Sequence, residues 1–115
     1  MCSSDLDGGV PFVLGSDAPQ TWNVPGFSAH RELGAIVAAG LTPYEALKSG
    51  TANVGVYFGT QSTVGTVAAG KRADLILLEA NPLTNIANTS RIAGVMVNGR
   101  WLSKTDIDAR LAAGR

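Results

Sequence analysis

Val10-Pro-Phe-Val-Leu-Gly-Ser-Asp-Ala-Pro19 is an apolar run that delivers a carboxylate to its tip and then breaks at proline. A short continuous apolar segment of this kind reads as a strand over Val10–Leu14 buried on both faces, as in a parallel sheet or barrel. In barrel enzymes the chemical groups sit where strands end and loops open, so Asp17 is a candidate metal ligand or base. The competing reading is plain turn chemistry. An Asp after a strand also accepts hydrogen bonds from free backbone amides and starts a turn or helix.

Outward from that run, residues 18–27 carry two prolines and a glycine and form a loop long enough to shape a pocket mouth. Ser28 is the expected cap of a helix over 29–39, with Leu33, Ile36 and Val37 on one face and Gly40 as its stop. Thr42-Pro-Tyr-Glu45 is a capping box with proline at the first helical position, which should bury Ala46 and Leu47. Val64–Val67 and Asp74–Leu78 read as strands joined by a turn at Ala68–Lys71. Ile92–Val97 should pair with Arg100–Leu102 across Asn98-Gly99, a strong hairpin signal. Ser103–Ala113 closes the chain as a helix capped by Thr105, with an exposed Lys/Arg/Asp face.

Composition excludes several classes of partner. Nine basic and nine acidic residues balance, and 45% of residues are hydrophobic, which gives no footprint for nucleic acid. No apolar run approaches the 18 or more residues of a membrane-spanning helix. The lone cysteine, Cys2, supports neither a disulfide framework nor a zinc knuckle. A Gly-x-Ser-x-Gly elbow is missing, and Gly65–Gly70 lacks the Gly-Lys-Ser/Thr ending of a phosphate loop.

Six segments in order carry a family resemblance: Leu14-Gly-Ser-Asp-Ala18, His30-Arg-Glu-Leu33, Ala39-Gly-Leu-Thr-Pro-Tyr-Glu-Ala-Leu47, Thr51-Ala-Asn53, Gly65-Thr-Val-Ala-Ala-Gly-Lys-Arg-Ala-Asp-Leu-Ile-Leu77 and Val95-Met-Val-Asn-Gly-Arg-Trp101. The chain resembles the metal-dependent amidohydrolase superfamily, with the flavour of its imidazolonepropionase-like and Xaa-Pro dipeptidase-like branch. The resemblance implies an α/β fold: the C-terminal portion of a (β/α)8 barrel plus part of a small flanking β-sandwich domain. It divides the chain into an unrelated or artefactual start over 1–9, the last barrel strand and its helices over 10–62, β-domain strands over 63–102, and a C-terminal helix over 103–115.

The same resemblance implies a metal site built from a His-x-His pair on the first strand, a Lys or carboxylate on the fourth, His on the fifth and sixth, and Asp on the eighth. This chain has one His, and a barrel of this type needs about 250 residues, so the expectation is a piece of a larger enzyme whose N-terminal part is missing. By resemblance Asp17 is the last metal ligand and the general base toward the attacking water. The metal is expected to be divalent, zinc, with one or two ions in the intact parent. Hydrolysis of carbon–nitrogen bonds in small molecules is implied, in cyclic amides, amides or Xaa-Pro-type substrates, with the isolated chain inactive. The alternative is a truncated, non-catalytic module that packs against a partner chain.

His30, Phe27 and Trp22 are the candidate substrate contacts, because the loop before the first helix should line the pocket mouth. For His30 the alternative is a capped, partly exposed side chain, since its position matches none of the family's ligand strands. Asp74 reads as a structural turn carboxylate and Trp101 as packing. Thr51-Ala-Asn-Val-Gly-Val-Tyr-Phe-Gly59 replaces the family's usual Pro-Ala with Val54-Gly55, and glycine costs about 1 kcal/mol against alanine inside a helix. A looser turn is expected there.

Overall fold

The computed structural model describes residues 11–114. The expected artefactual start over 1–9 therefore lies outside the described residues. The fold is α/β, and the described residues form, in chain order, three helices, a three-stranded antiparallel sheet and a further helix.

Residues 11–17 form no regular element, and their exposure alternates: Phe12, Leu14 and Ser16 are half-buried while Pro11, Val13, Gly15 and Asp17 face out. The expected strand over Val10–Leu14 is not formed among the described residues. A ladder needs a neighbouring strand, and what this run meets instead is helical: Leu14 N–H donates to Ser49 O at 3.1 Å, and Asn53 Nδ2 donates to Phe12 O at 2.9 Å.

Helix α1, Phe27–Ala38, buries Leu33 and Ile36, and with Ala46 these make the fully buried apolar core. Phe12, Leu14, Val37, Leu41, Leu47 and Ile86 pack around them. The helix starts two residues earlier than expected, and Ser28 is not its cap. Gly26, at φ 87°, occupies that position without a side-chain bond, and the Ser28 hydroxyl turns inward to Ser16 Oγ at 2.9 Å. Gly40, at φ 113°, ends the helix as expected, in a conformation that favours glycine.

Helix α2, Pro43–Ser49, has the reciprocal capping box: Glu45 N–H donates to Thr42 Oγ1 at 3.3 Å, and Thr42 N–H donates to Glu45 Oε2 at 2.8 Å. Ala46 is fully buried and Leu47 partly so. Helix α3, Ala52–Tyr57, corrects the expected loose turn. Gly55 does weaken helix propensity, but its missing side chain lets the 61–64 turn approach: a Cβ there would lie 3.2 Å from Val64 O and 3.3 Å from Gln61 Cα.

The expected strand over Val64–Val67 is not formed either. Gly65 has φ 92°, which a pleated strand excludes, and the segment bends instead. The turn at Ala68–Lys71 closes with Lys71 N–H on Ala68 O at 3.3 Å.

Strands β1, Leu75–Leu78, β2, Ile92–Val97, and β3, Arg100–Ser103, form the sheet in that order. Leu75 pairs with Met96 and Met96 with Trp101, and a bulge follows Leu77. Asn98 and Gly99 have φ 49° and 77°, so both turn residues lie in the left-handed region that a tight two-residue hairpin requires. Asp74 fastens this turn to the start of β1: Asn98 N–H donates to its Oδ1 at 2.7 Å, and Gly99 N–H donates to Ala73 O at 3.0 Å. Its structural reading from sequence agrees with that geometry.

Helix α4, Lys104–Ala113, is capped by Ser103 rather than Thr105. The strand runs directly into the helix, so Ser103 meets the first free amides and makes a second capping box with Asp106, at 3.2 and 3.0 Å.

Three carboxyls are held below their ordinary pKa by these bonds: Glu45 by the Thr42 hydroxyl and amide, Asp74 by the Asn98 amide, and Asp106 by the Ser103 hydroxyl and amide. Each is depressed on folding, so each stabilises the fold fully above its ordinary value of 3.8 or 4.5, and that contribution is lost as the pH falls through the lower folded value. Melting of this chain should therefore move to lower temperature between about pH 6 and about pH 3. An unchanged melting temperature would show that these carboxylate hydrogen bonds add nothing.

Candidate active-site loop

Asp17 sits where the apolar run ends, exposed, at φ 52°. Asp tolerates the left-handed region better than most residues, and such a residue is often held there for a functional reason. Four contacts do the holding. Gln20 Nε2 donates to Asp17 Oδ2. Gln20 and Asn23 exchange both backbone bonds, at 3.3 and 2.9 Å. Asn23 Nδ2 donates to Ser16 O, one peptide away from Asp17. Ser16 Oγ then meets Ser28 Oγ, which is only 4% exposed, so the ring of contacts is anchored to helix α1.

Beside this ring lies a shallow depression of about 350 Å³ between the loop and helix α1, lined by Ser16, Trp22, Asn23, Ser28, Arg31 and Glu32 among others. Trp22 is at its rim, 89% exposed at φ 67°, with its carbonyl accepting from Arg31 Nη1 at 3.2 Å. Phe27 is 74% exposed and is not among the lining residues.

His30 is turned toward the 3-10 segment Ile86–Ser90. Its Nδ1 lies 3.1 Å from Thr89 Oγ1. Thr89 donates its own hydroxyl proton to Ile86 O at 2.8 Å, which leaves its oxygen to accept from His30 Nδ1–H. The contact joins residues 59 apart and ties α1 to the sheet side of the fold.

Among the described residues no three His, Cys, Asp or Glu side chains gather as a metal site. Asp17 fits the role of a single ligand: a carboxylate with one oxygen held by Gln20, presented at a loop tip. Among the described residues no second ligand joins it, and His30 is engaged with Thr89.

The amidohydrolase family pattern matches residues 3–102, and the chain belongs to that family. Ochratoxinase of Aspergillus niger is 39% identical over 83 residues, covering 70% of this chain and 16% of the relative. Imidazolonepropionase of Shouchella clausii is 32% identical over 116 aligned positions, covering 88% of this chain and 25% of the relative. A 5-methylthioadenosine/S-adenosylhomocysteine deaminase of Moorella thermoacetica is 32% identical, covering 84% and 27%.

Among solved structures, molinate hydrolase superposes with a TM-score of 0.79 at 27% identity, covering 87% of this chain and 25% of its own. The A. niger ochratoxinase structure gives 0.72 at 32%, covering 88% and 23%. The chain thus spans about a sixth to a quarter of the length of these relatives.

Proposed function

We propose that this chain is the C-terminal part of a metal-dependent hydrolase of carbon–nitrogen bonds, in which Asp17 is the last metal ligand and the general base. The observation that carries the reading is the placement of Asp17: an exposed carboxylate at the end of an apolar run, held in the left-handed region by a ring of hydrogen bonds. That run is the last barrel strand on this reading. Its neighbours, the other ligands and most pocket loops belong to the missing N-terminal part. On this reading residues 10–62 are the barrel's end, residues 63–102 part of the small β domain, and 103–115 the C-terminal helix. The names of the relatives, imidazolonepropionase and a deaminase, favour hydrolysis at carbon–nitrogen bonds. Cyclic amides, amides and Xaa-Pro-type compounds are the substrate classes.

Asp17 would be one ligand of a divalent metal, zinc on this reading, and the bound metal would supply water made acidic enough to lose its proton near neutrality. An ordinary carboxylate then suffices as base, because Asp17 need accept the proton only as the water attacks and can pass it to the leaving nitrogen. Trp22 stands at the mouth of the depression as a substrate contact, and Phe27 lies outside it. His30 serves better as the brace between α1 and Thr89 than as a substrate contact.

A second reading has its own observation. Val56, Tyr57 and Phe58 stand exposed in a row, and Ile76 and Leu77 are exposed on β1, which suits a module packed against another chain. The purified 115-residue chain separates nothing by activity alone, but it tests the incompleteness of the site. It should show no metal-dependent hydrolysis and only weak zinc binding, because a lone carboxylate leaves the ion mostly hydrated. Zinc-dependent turnover of an amide or Xaa-Pro dipeptide by this chain would overturn the proposal.

A further inference from the structure

We infer that the outer edge of strand β1 pairs with the same edge of a second copy of this chain, antiparallel and centred on Leu77. The inference stands apart from the role of Asp17. β1, Leu75-Ile-Leu-Leu78, is an edge strand of the sheet, and the described residues place no further strand beside it. Ile76 and Leu77 are 60% and 55% exposed, and neighbouring residues on a strand point to opposite faces, so the edge is apolar on both. Neither lysine nor proline, the usual guards of a sheet edge, occurs in it.

Hydrogen-bond parity decides which groups of this edge are unmet. Gly99 N–H donates to Ala73 O at 3.0 Å and Glu79 N–H donates to Arg91 O at 2.8 Å, so odd-numbered residues aim their polar groups at β2. The hairpin agrees: Val97 and Arg100 close its turn, so Val95 and Val97 face β3, and Gly94 and Met96 face β1 opposite Leu77 and Leu75. Alternation leaves the N–H and C=O of Ile76 and Leu78 on the outer edge, where neither has a partner among the described residues. Nearer the start of the strand the edge is closed, because Arg72 N–H is taken by Thr63 O and Asp74 N–H by Arg72 O. Two residues with open groups, one position apart, match an identical stretch run in reverse. Ile76 exchanges both bonds with the partner's Leu78, and twofold symmetry repeats the exchange, so every open group within both strands is met. Leu77 then faces the partner's Leu77 across the axis. Asp74 comes opposite the partner's Ala80, and Glu79 opposite the partner's Leu75, so no like charges are opposed. Nine basic against nine acidic residues leave no net charge to hold two copies apart.

Sedimentation equilibrium of the 115-residue chain at neutral pH tests this, with wild type, Leu77→Lys, Leu77→Glu and Tyr57→Lys, each checked for folding by a melting curve. The expected wild-type result is a concentration-dependent equilibrium between monomer and dimer. Leu77→Lys and Leu77→Glu should each raise the dimer Kd at least about 10-fold, because the axis sets like charges face to face. Their one-to-one mixture should associate at least about 10-fold more tightly than either alone, since opposite charges then meet, and misfolding of the variants could not produce that gain. Tyr57→Lys replaces an exposed aromatic at the end of α3 and should keep the wild-type Kd. A wild-type chain that stays monomeric up to its highest soluble concentration would overturn the inference. So would a mixture no tighter than its components, or a dimer lost in Tyr57→Lys and kept in Leu77→Lys.

Discussion

In the full-length, zinc-loaded protein, Asp17→Asn should cut turnover by at least about 100- to 10,000-fold while leaving the fold in place. The range is that of a lost general base, and weakened metal binding would add to it. Asparagine is the informative replacement because it keeps the shape of aspartate, still offers Gln20 a carbonyl oxygen, and tolerates the left-handed φ of 52°. Alanine would confound loss of chemistry with backbone strain at the same position. Since Asp17 is exposed and outside the core cluster, melting should change little. Steady-state kinetics beside a melting curve checks both halves. Wild-type kcat in a folded Asp17→Asn protein would rule out the assigned role.

The largest stability effect is expected far from that loop, at Gly94 on the central strand. The Trp101 indole lies across it: a Cβ at Gly94 would be 2.2 Å from Cζ2 and 2.3 Å from Cη2 of the ring, and 3.0 Å from Leu102 O. Trp101 is paired with Met96 on the neighbouring strand and reaches over the glycine diagonally. Gly94→Ala must therefore displace a rigid ring, and overpacking of this kind costs about 1 to 3 kcal/mol. For a domain of about 100 residues each kcal/mol lowers melting by about 4 to 8 °C. Thermal melting of the 115-residue chain reads the effect. A variant as stable as wild type would mean that the ring does not depend on this site.

What could be read from the amino-acid order divides by the number of partners each feature needs. The capping box at Thr42–Glu45 and the hairpin at Asn98-Gly99 are complete within a few residues, and both formed as expected. The strand over Val10–Leu14 needs a neighbouring strand, and the described residues place none beside 11–14, so no ladder forms there. Val64–Val67 has strand-like side chains, but Gly65 at φ 92° overrides them. Ser28 carries a capping residue type, yet burial next to Ser16 draws its hydroxyl inward. Thr105 was the expected cap, but β3 runs straight into the helix and puts Ser103 at that position.

At the candidate site, Asp17 was noticed because an acid at the tip of an apolar run stands out. Gln20 and Asn23 were not, since an amide in a proline-rich loop looks like any solvated polar residue. The one cue was their spacing, three residues apart and flanking Thr21-Trp22, which permits the paired backbone bridge that aims both side chains. His30 was noticed for its chemistry, whereas its partner Thr89 lies 59 residues away on a 3-10 segment, Ile86–Ser90, that no local periodicity marks.

The central claim, that this segment completes the metal site of a larger hydrolase, is tested most directly by sequencing the source DNA upstream of the Met1 codon and reading in frame. A His-x-His pair followed by further histidines at the ends of apolar strand-like runs is the predicted result, and it would make Asp17 the last ligand of that set. A promoter and a genuine start at Met1, with no such histidines before it, would contradict the account.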